Sequence, residues 1–480
     1  MRKKKIFTLV IIQLLFVVIF GAVTQREKLS TRQDYILIAW NDLGMHCANQ
    51  DFSKVVVLPP FNTLYAQVIK KGSVSALPQV LTDSLTLSYE IPGNTYSVGK
   101  TNFWSYEDQL FGTSLPNDTG LTGLGLTGEL TPYGDHFVAE GIPITPFSDS
   151  NLVTENPYQL AFLSLYDTVG TLLATTQPVI PVSNEIGCVS SNCHPNQQHI
   201  LNEHDNVSGF NQNGPVLCAS CHSSNALGTS GTPGLESLSE VIHDEHKNVN
   251  DCYKCHPGQN TQCHRGVMNT EGYSCVDCHG NTENVAETIS NGRQPWLDEP
   301  SCASSGCHTS IYGENPNTLY RLSKGHGGLY CSACHGSPHA IYPSQVANDN
   351  VQNIALQGFA GILSDCSVCH GIIPNWPGPH GILVGNIETL SSESDATKLN
   401  MVYPNPASYE ASIDFSVAGK EKVSIEIINS EGKSVIRLLN RLMTSGSYQI
   451  DFPVESLQSG IYYARLSSKS SSQSIKFVKI

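Results

Sequence analysis

Two patterns of apolar and polar residues mark out the ends of this chain. Near the start, Asp34-Tyr-Ile-Leu-Ile-Ala-Trp40, Leu64-Tyr-Ala-Gln-Val-Ile69 and Leu85-Thr-Leu-Ser-Tyr-Glu-Ile91 are rich in β-branched and aromatic residues. Gly and Pro clusters separate them, as expected of strands. Residues 158–165 and 171–182 predict a hairpin across Asp167-Thr-Val-Gly170. Together these runs predict a mostly-β N-terminal domain over 33–182, built as a sandwich or small barrel. Near the end, residues 411–417, 422–428, 434–438, 446–452, 461–466 and 474–480 alternate apolar with polar positions between turn residues. A period of two with one apolar face predicts a small antiparallel β-sandwich over 401–480.

Neither period is sustained between 186 and 383. That stretch predicts irregular chain with short helices, and it lacks the apolar side chains for a core of its own. Residues 384–400 are polar and Ser-rich and predict a linker. Arg2-Lys3-Lys4-Lys5 ahead of the apolar run 6–23 has the charged start and apolar core of a secretory signal peptide, here 1–23.

The chemistry-bearing residues crowd into the irregular stretch. Cys188 and Cys193 precede His194, Cys218 and Cys221 precede His222, Cys252 and Cys255 precede His256, and Cys275 and Cys278 precede His279. Cys302 and Cys307 then precede His308, Cys331 and Cys334 precede His335, and Cys366 and Cys369 precede His370. Five of the seven units read Cys-x-x-Cys-His, the attachment signature of c-type haem; those opening at Cys188 and Cys302 carry four intervening residues. The cysteines are suited to thioether bonds with the porphyrin vinyl groups, and the histidine behind them to proximal ligation of the iron. Seven covalently attached haem c groups are therefore expected, a cofactor for roughly every 28 residues, with the porphyrins standing in for a side-chain core.

Structural zinc is a poorer reading, because it does not require a histidine at one fixed place after every cysteine pair. Iron–sulfur ligation and a disulfide framework leave the same histidines unexplained. Cys47 and Cys263 stand outside the units, and export would allow a disulfide between them. His46-Cys47 with His136 could hold a metal such as copper.

Methionine is scarce: of five, Met1 lies in the signal and Met401 and Met443 in the tail. The second axial ligands are therefore expected to be histidines. His199, His204, His243, His246, His326, His339 and His380 lie just before or after the attachment units and are assigned that role. His264 directly follows Cys263 and is set apart. A formal net charge of −15 excludes nucleic acid as a partner, since that requires clustered Lys and Arg.

Tyr403-Pro404-Asn405-Pro406, Leu457-Gln-Ser-Gly-Ile-Tyr-Tyr463 and the final Lys479-Ile480 resemble the C-terminal sorting domain of the type IX secretion system. The resemblance implies a Bacteroidetes-type bacterium, the type IX machinery as a partner and delivery to the cell surface or medium. Cys334-His-Gly-Ser-Pro-His339 and Gly378-Pro-His380-Gly resemble segments of exported multihaem c-type cytochromes used in extracellular respiration. Trp40-Asn-Asp-Leu-Gly-Met-His46-Cys47 with Leu58-Pro-Pro-Phe-Asn-Thr63 is similar to a module found beside them. The expected function is electron transfer along seven bis-histidine haems to another redox protein or an extracellular acceptor, as a carrier and not an enzyme. The alternative is a multihaem reductase of nitrite, hydroxylamine or a sulfur oxyanion. An oligomer or polymer is left open by the sequence.

Overall fold

The computed structural model describes residues 34–480 apart from 185–186, 258–260, 305–306, 309–311, 374–377, 382–386 and 392–395. The expected signal peptide, 1–23, lies outside the described residues. Among them, no helix is long and apolar enough to cross a membrane.

The N-terminal strands form one main antiparallel sheet. Its order is Tyr35–Asn41, Thr63–Lys70, His136–Glu140, Thr127–Tyr133, Leu85–Glu90, Phe162–Asp167 and Leu172–Thr176, with Gln79–Leu81 paired to Thr63–Lys70. One face encloses a core of Leu37, Leu64, Leu87, Phe137, Leu163, Leu165 and Ile180. The first strand is buried on both faces. Leu37 and Ala39 point into that core, whereas Ile36, Ile38 and Trp40 pack against Tyr330, Ala333 and Val368 of the central segment. A strand sandwiched in this way loses the usual polar alternation and reads as a continuous apolar run. Its edge is covered too, because the Ala39 amide donates to the Gln352 side chain, which removes an unpaired donor that would otherwise invite another strand.

The N-terminal domain and the central segment therefore share an interface. Gln67 is fully buried there, accepting from the Tyr330 amide and donating to the Gly328 carbonyl. Strand Val55–Val56 pairs in parallel with Val216–Leu217, which ends immediately before Cys218. Helices in the central segment are short, among them Gln197–Asn202, Leu238–Glu245, Cys275–His279, Thr282–Ser290, Cys331–His335 and Val351–Gln357.

The C-terminal region is a sandwich of two four-stranded antiparallel sheets. One orders Ile387–Ser391, Gly446–Pro453, Glu410–Val417 and Lys398–Tyr403; the other Ser434–Met443, Glu421–Asn429, Gly460–Ser468 and Ser472–Lys479. Phe415, Phe452, Phe477, Ile413 and Ile425 are fully buried between them, each contributing about 1.5–3 kcal/mol through apolar area removed from water. The expected linker over 384–400 needs correction. Its residues supply strand Ile387–Ser391 and the start of Lys398–Tyr403, because sheet edges take up backbone hydrogen bonds from chain with little apolar signal.

Candidate functional site

Each cysteine–histidine unit closes on itself in the same way. The amides of His222, His256 and His370 donate to the carbonyls of Cys218, Cys252 and Cys366 at 3.0, 2.8 and 2.9 Å. Units Cys275–His279 and Cys331–His335 are single helical turns. The two longer units reach the same closure: His194 and His308 donate to the carbonyls of Cys188 and Cys302, both at 3.0 Å. The longer spacing leaves the backbone relation between first cysteine and histidine intact. Asp251 and Asp365, just before two of the units, fix the turn by accepting from Tyr253 and Ser367 amides, as Asp side chains do at turns and caps.

The histidines that follow the cysteines stand opposite histidines from elsewhere. Ring centroids are 6.2 Å apart for His194 and His246, 6.4 Å for His204 and His222, and 6.0 Å for His243 and His256. They are 6.2 Å apart for His279 and His339, 5.9 Å for His326 and His370, and 5.8 Å for His335 and His380. Two imidazoles on opposite sides of one metal, each bound at about 2 Å, have ring centres about 6 Å apart. The six centroid separations match that distance.

Tautomers agree with that use. Nδ1 of His222, His243 and His246 faces the carbonyls of Glu236, Ser239 and Ile242 at 2.9, 2.6 and 2.8 Å. A carbonyl can only accept, so Nδ1 carries the proton and Nε2 is left with its lone pair, the form that ligates a metal. His339 Nδ1 faces the Leu43 carbonyl in the same sense. Crowding by the surrounding chain pushes His256, His335 and His339 down to about 4, which keeps the rings neutral, even though His256 and His339 present accessible edges.

His339 is held from behind. Its carbonyl accepts from the Arg265 and Gly266 amides, and the Arg265 guanidinium makes a two-pronged contact with Asp349, with both side chains buried. Arg265 also donates to the Gly44 carbonyl in the Trp40–His46 motif. That motif thus braces the loop bearing His339. Backbone φ values of 65° at His339 and 60° at His380 place both in the left-handed region, which non-glycine residues occupy mainly where surrounding contacts enforce it. Asp349→Ala is expected to destabilise this region by about 3–5 kcal/mol, because it strands a buried guanidinium; thermal unfolding of the full chain checks it.

His199 is placed differently from the other histidines assigned as second axial ligands. Its Nδ1 lies 3.0 Å from His194 Nδ1, with a Glu203 oxygen 3.5 Å away. Two nitrogens that close can bind one metal only side by side, at about 90°, and not from opposite sides, which at about 2 Å each would set them about 4 Å apart. His199 therefore stands beside His194 and not across a metal from it. Among the described residues, no second imidazole faces His308 at the pairing distance that joins the other six.

Three further expectations can be placed. His46 Nε2 contacts buried Asp42 at 2.6 Å, while His136 Nδ1 meets the Tyr330 hydroxyl at 3.2 Å. They serve separate contacts, and the set His46, Cys47 and His136 does not converge; among the described residues the one convergent group is His194, His199 and Glu203. Cys263 is not bridged to Cys47; its thiol lies among Cys252 and Cys275, where burial pushes it up. His264 turns its Nε2 to the Tyr273 carbonyl. Sequence reasoning missed Gln352, Arg265 and Asp349, for which no period or spacing gives a signal.

Residues 401–480 match the family model of the secretion system C-terminal sorting domain. The C-terminal sandwich is thus a type IX sorting domain, which indicates export to the cell surface or medium and contact with the type IX secretion machinery. No curated protein matches the chain.

Proposed function

We propose that the protein is an exported c-type cytochrome carrying seven covalent haems over 186–383, passing electrons to a redox protein or acceptor outside the cell. The observation that carries this reading is the set of six imidazole pairs. Each joins the histidine of one Cys–Cys–His unit to a histidine from another loop, at the separation an iron between them requires. Bound haem would supply one-electron redox chemistry. The chain would supply thioether attachment, axial nitrogens and spacing.

Contacts between units support a single-file route. The Gly187 amide, next to the Cys188 unit, donates to the Cys255 carbonyl, and the Leu363 amide donates to that of Cys334. Cys275 neighbours Cys252, and Cys302 neighbours both Cys278 and Cys331. In this reading electrons move from the first units through Cys252, Cys275, Cys302 and Cys331 to Cys366. That last unit lies near the sorting domain, where Ser364 Oγ donates to the Asn440 carbonyl.

Intact mass of the secreted protein tests the reading: the expected result is the processed chain plus seven haems. A mass without haem, or zinc in its place, overturns it. His339→Ala is expected to leave attachment intact, since His279 and its cysteines remain. About one haem in seven would turn from low-spin to high-spin in the ferric spectrum, because one strong-field nitrogen is lost.

A further inference from the structure

We propose that the aromatic cluster of Trp40, Tyr65, His136, Tyr330 and Tyr133 is a second redox route, through which the reduced central segment repairs one-electron oxidation at the surface of the N-terminal sheet. Its substrate is a strong one-electron oxidant outside the cell, of the peroxyl-radical class. The route takes its electrons from the haems proposed above and so rests on that reading. It goes beyond it, because the path runs through side chains of the β-domain.

Four of the rings close a circuit. Centroids are 6.2 Å apart for Trp40 and Tyr65, 5.4 Å for Tyr65 and His136, 5.1 Å for His136 and Tyr330, and 5.5 Å for Tyr330 and Trp40. Each step is a direct ring contact in the tilted or edge-on geometry that aromatic pairs favour. The inner and outer ends differ. Tyr330 is buried and directly precedes Cys331, which puts the inner end one residue from an attachment cysteine. Tyr133 is 70% exposed, and its ring centroid lies 5.5 Å from that of His136. Phenol and indole rings also give up an electron more readily than aliphatic or amide groups.

Apolar packing would account for the rings but not for the polar contacts around Tyr330. Its hydroxyl lies 3.2 Å from His136 Nδ1, within reach for proton transfer. With the imidazole proton on Nε2, Nδ1 accepts from the phenol. Burial holds His136 below the ordinary histidine range, so the ring is neutral and free to take a proton. Asp135 Oδ1 is 3.4 Å from the same nitrogen and offsets the charge that arrives. The Lys324 ammonium stands 4.6 Å over the Tyr330 ring and opposes positive charge on it. Tyr330 therefore gives up electron and proton together and becomes a neutral radical.

The steps balance. The oxidant takes one electron from Tyr133, whose phenolic proton passes to water. Tyr330 supplies an electron to Tyr133, which regains a proton from water, while the Tyr330 proton moves to His136 Nδ1. An electron from the reduced central segment then restores Tyr330, and its proton returns from Nδ1. The oxidant is reduced by one electron and the central segment is oxidised by one.

The test uses the full chain with its haems first counted by pyridine haemochromogen, either ferric or fully reduced and freed of excess reductant. Azide radicals made anaerobically by pulse radiolysis, at a substoichiometric dose, are the one-electron oxidant. Peptide mass spectrometry reads permanent oxidation at Tyr133 and at Tyr409, which is 74% exposed in the C-terminal sandwich and serves as the matched control. The expected result is severalfold less modification of Tyr133 in ferrous than in ferric protein, with Tyr409 modified alike in both. Tyr330→Phe keeps the ring, removes the transferable proton and should abolish the difference at Tyr133. If that variant does not accumulate, His136→Gln decides by the same comparison, because it removes the base and keeps the phenol. Equal modification of Tyr133 in the two states, protection that Tyr409 shares, or protection that survives the deciding substitution overturns the route while leaving the cytochrome reading intact. A protein without haem overturns that reading instead.

Discussion

Protein made without haem attachment is expected to lose hydrogen-exchange protection across the central segment while its C-terminal sandwich stays protected. The reason lies in where apolar side chains are buried. The sandwich encloses three fully buried phenylalanines and several isoleucines between two sheets. The N-terminal sheet has its own enclosed face. Between Cys188 and Ser323, by contrast, the buried apolar residues are scattered: Leu201, Leu217, Ala219, Leu238, Ala286 and Ile289. So few cannot offset a chain entropy of roughly 1–2 kcal/mol per residue. The haems must do so in this reading. The outer face of Tyr35–Asn41 should lose protection along with the central segment, because Ile36, Ile38 and Trp40 are covered by Tyr330 and Val368. Hydrogen exchange with mass detection, comparing protein made with and without the haem attachment machinery, measures this. Equal protection in the two preparations would remove the haems from the stability of the fold.

The second large effect concerns the address. Deleting 401–480 is expected to abolish display at the cell surface, with haem attachment unchanged. Surface proteolysis or immunolabelling of intact cells is the readout. The structure adds a refinement, because the sandwich begins before residue 401. Strand Ile387–Ser391 pairs with Gly446–Pro453 along one edge of the first sheet, so removing it exposes the backbone of a long strand. A reporter fused to 387–480 is therefore expected to be displayed more efficiently than one fused to 401–480. Equal display would show that this strand is dispensable for sorting.

Several features were legible because they are local. The cysteine–histidine units are closed within five to seven residues, so their cysteines, histidine and backbone closure follow from sequence order alone, even with the longer spacing at Cys188 and Cys302. The sorting sandwich was legible because its strands bury one face only and alternate cleanly, as in Glu421–Asn429 and Gly460–Ser468. Strand Tyr35–Asn41 was visible as apolar chain, but its second buried face was not. A run of apolar residues does not say what covers each side. The supposed linker failed for a related reason: Ile387–Ser391 is recruited by the free edge of another strand, which no local pattern records.

Sequence by itself determined the seven cysteine–histidine units and the C-terminal address, since each is written in contiguous residues. Only the tertiary structure decided which histidine faces which. His326 meets His370, and His279 meets His339, across separate loops, and Arg265, Asp349 and the Gly44 carbonyl fix one such loop from three parts of the chain. Counting histidines matched seven to seven. Folding placed His199 beside His194, because pairing depends on the reach and direction of folded loops, whereas composition constrains only the totals.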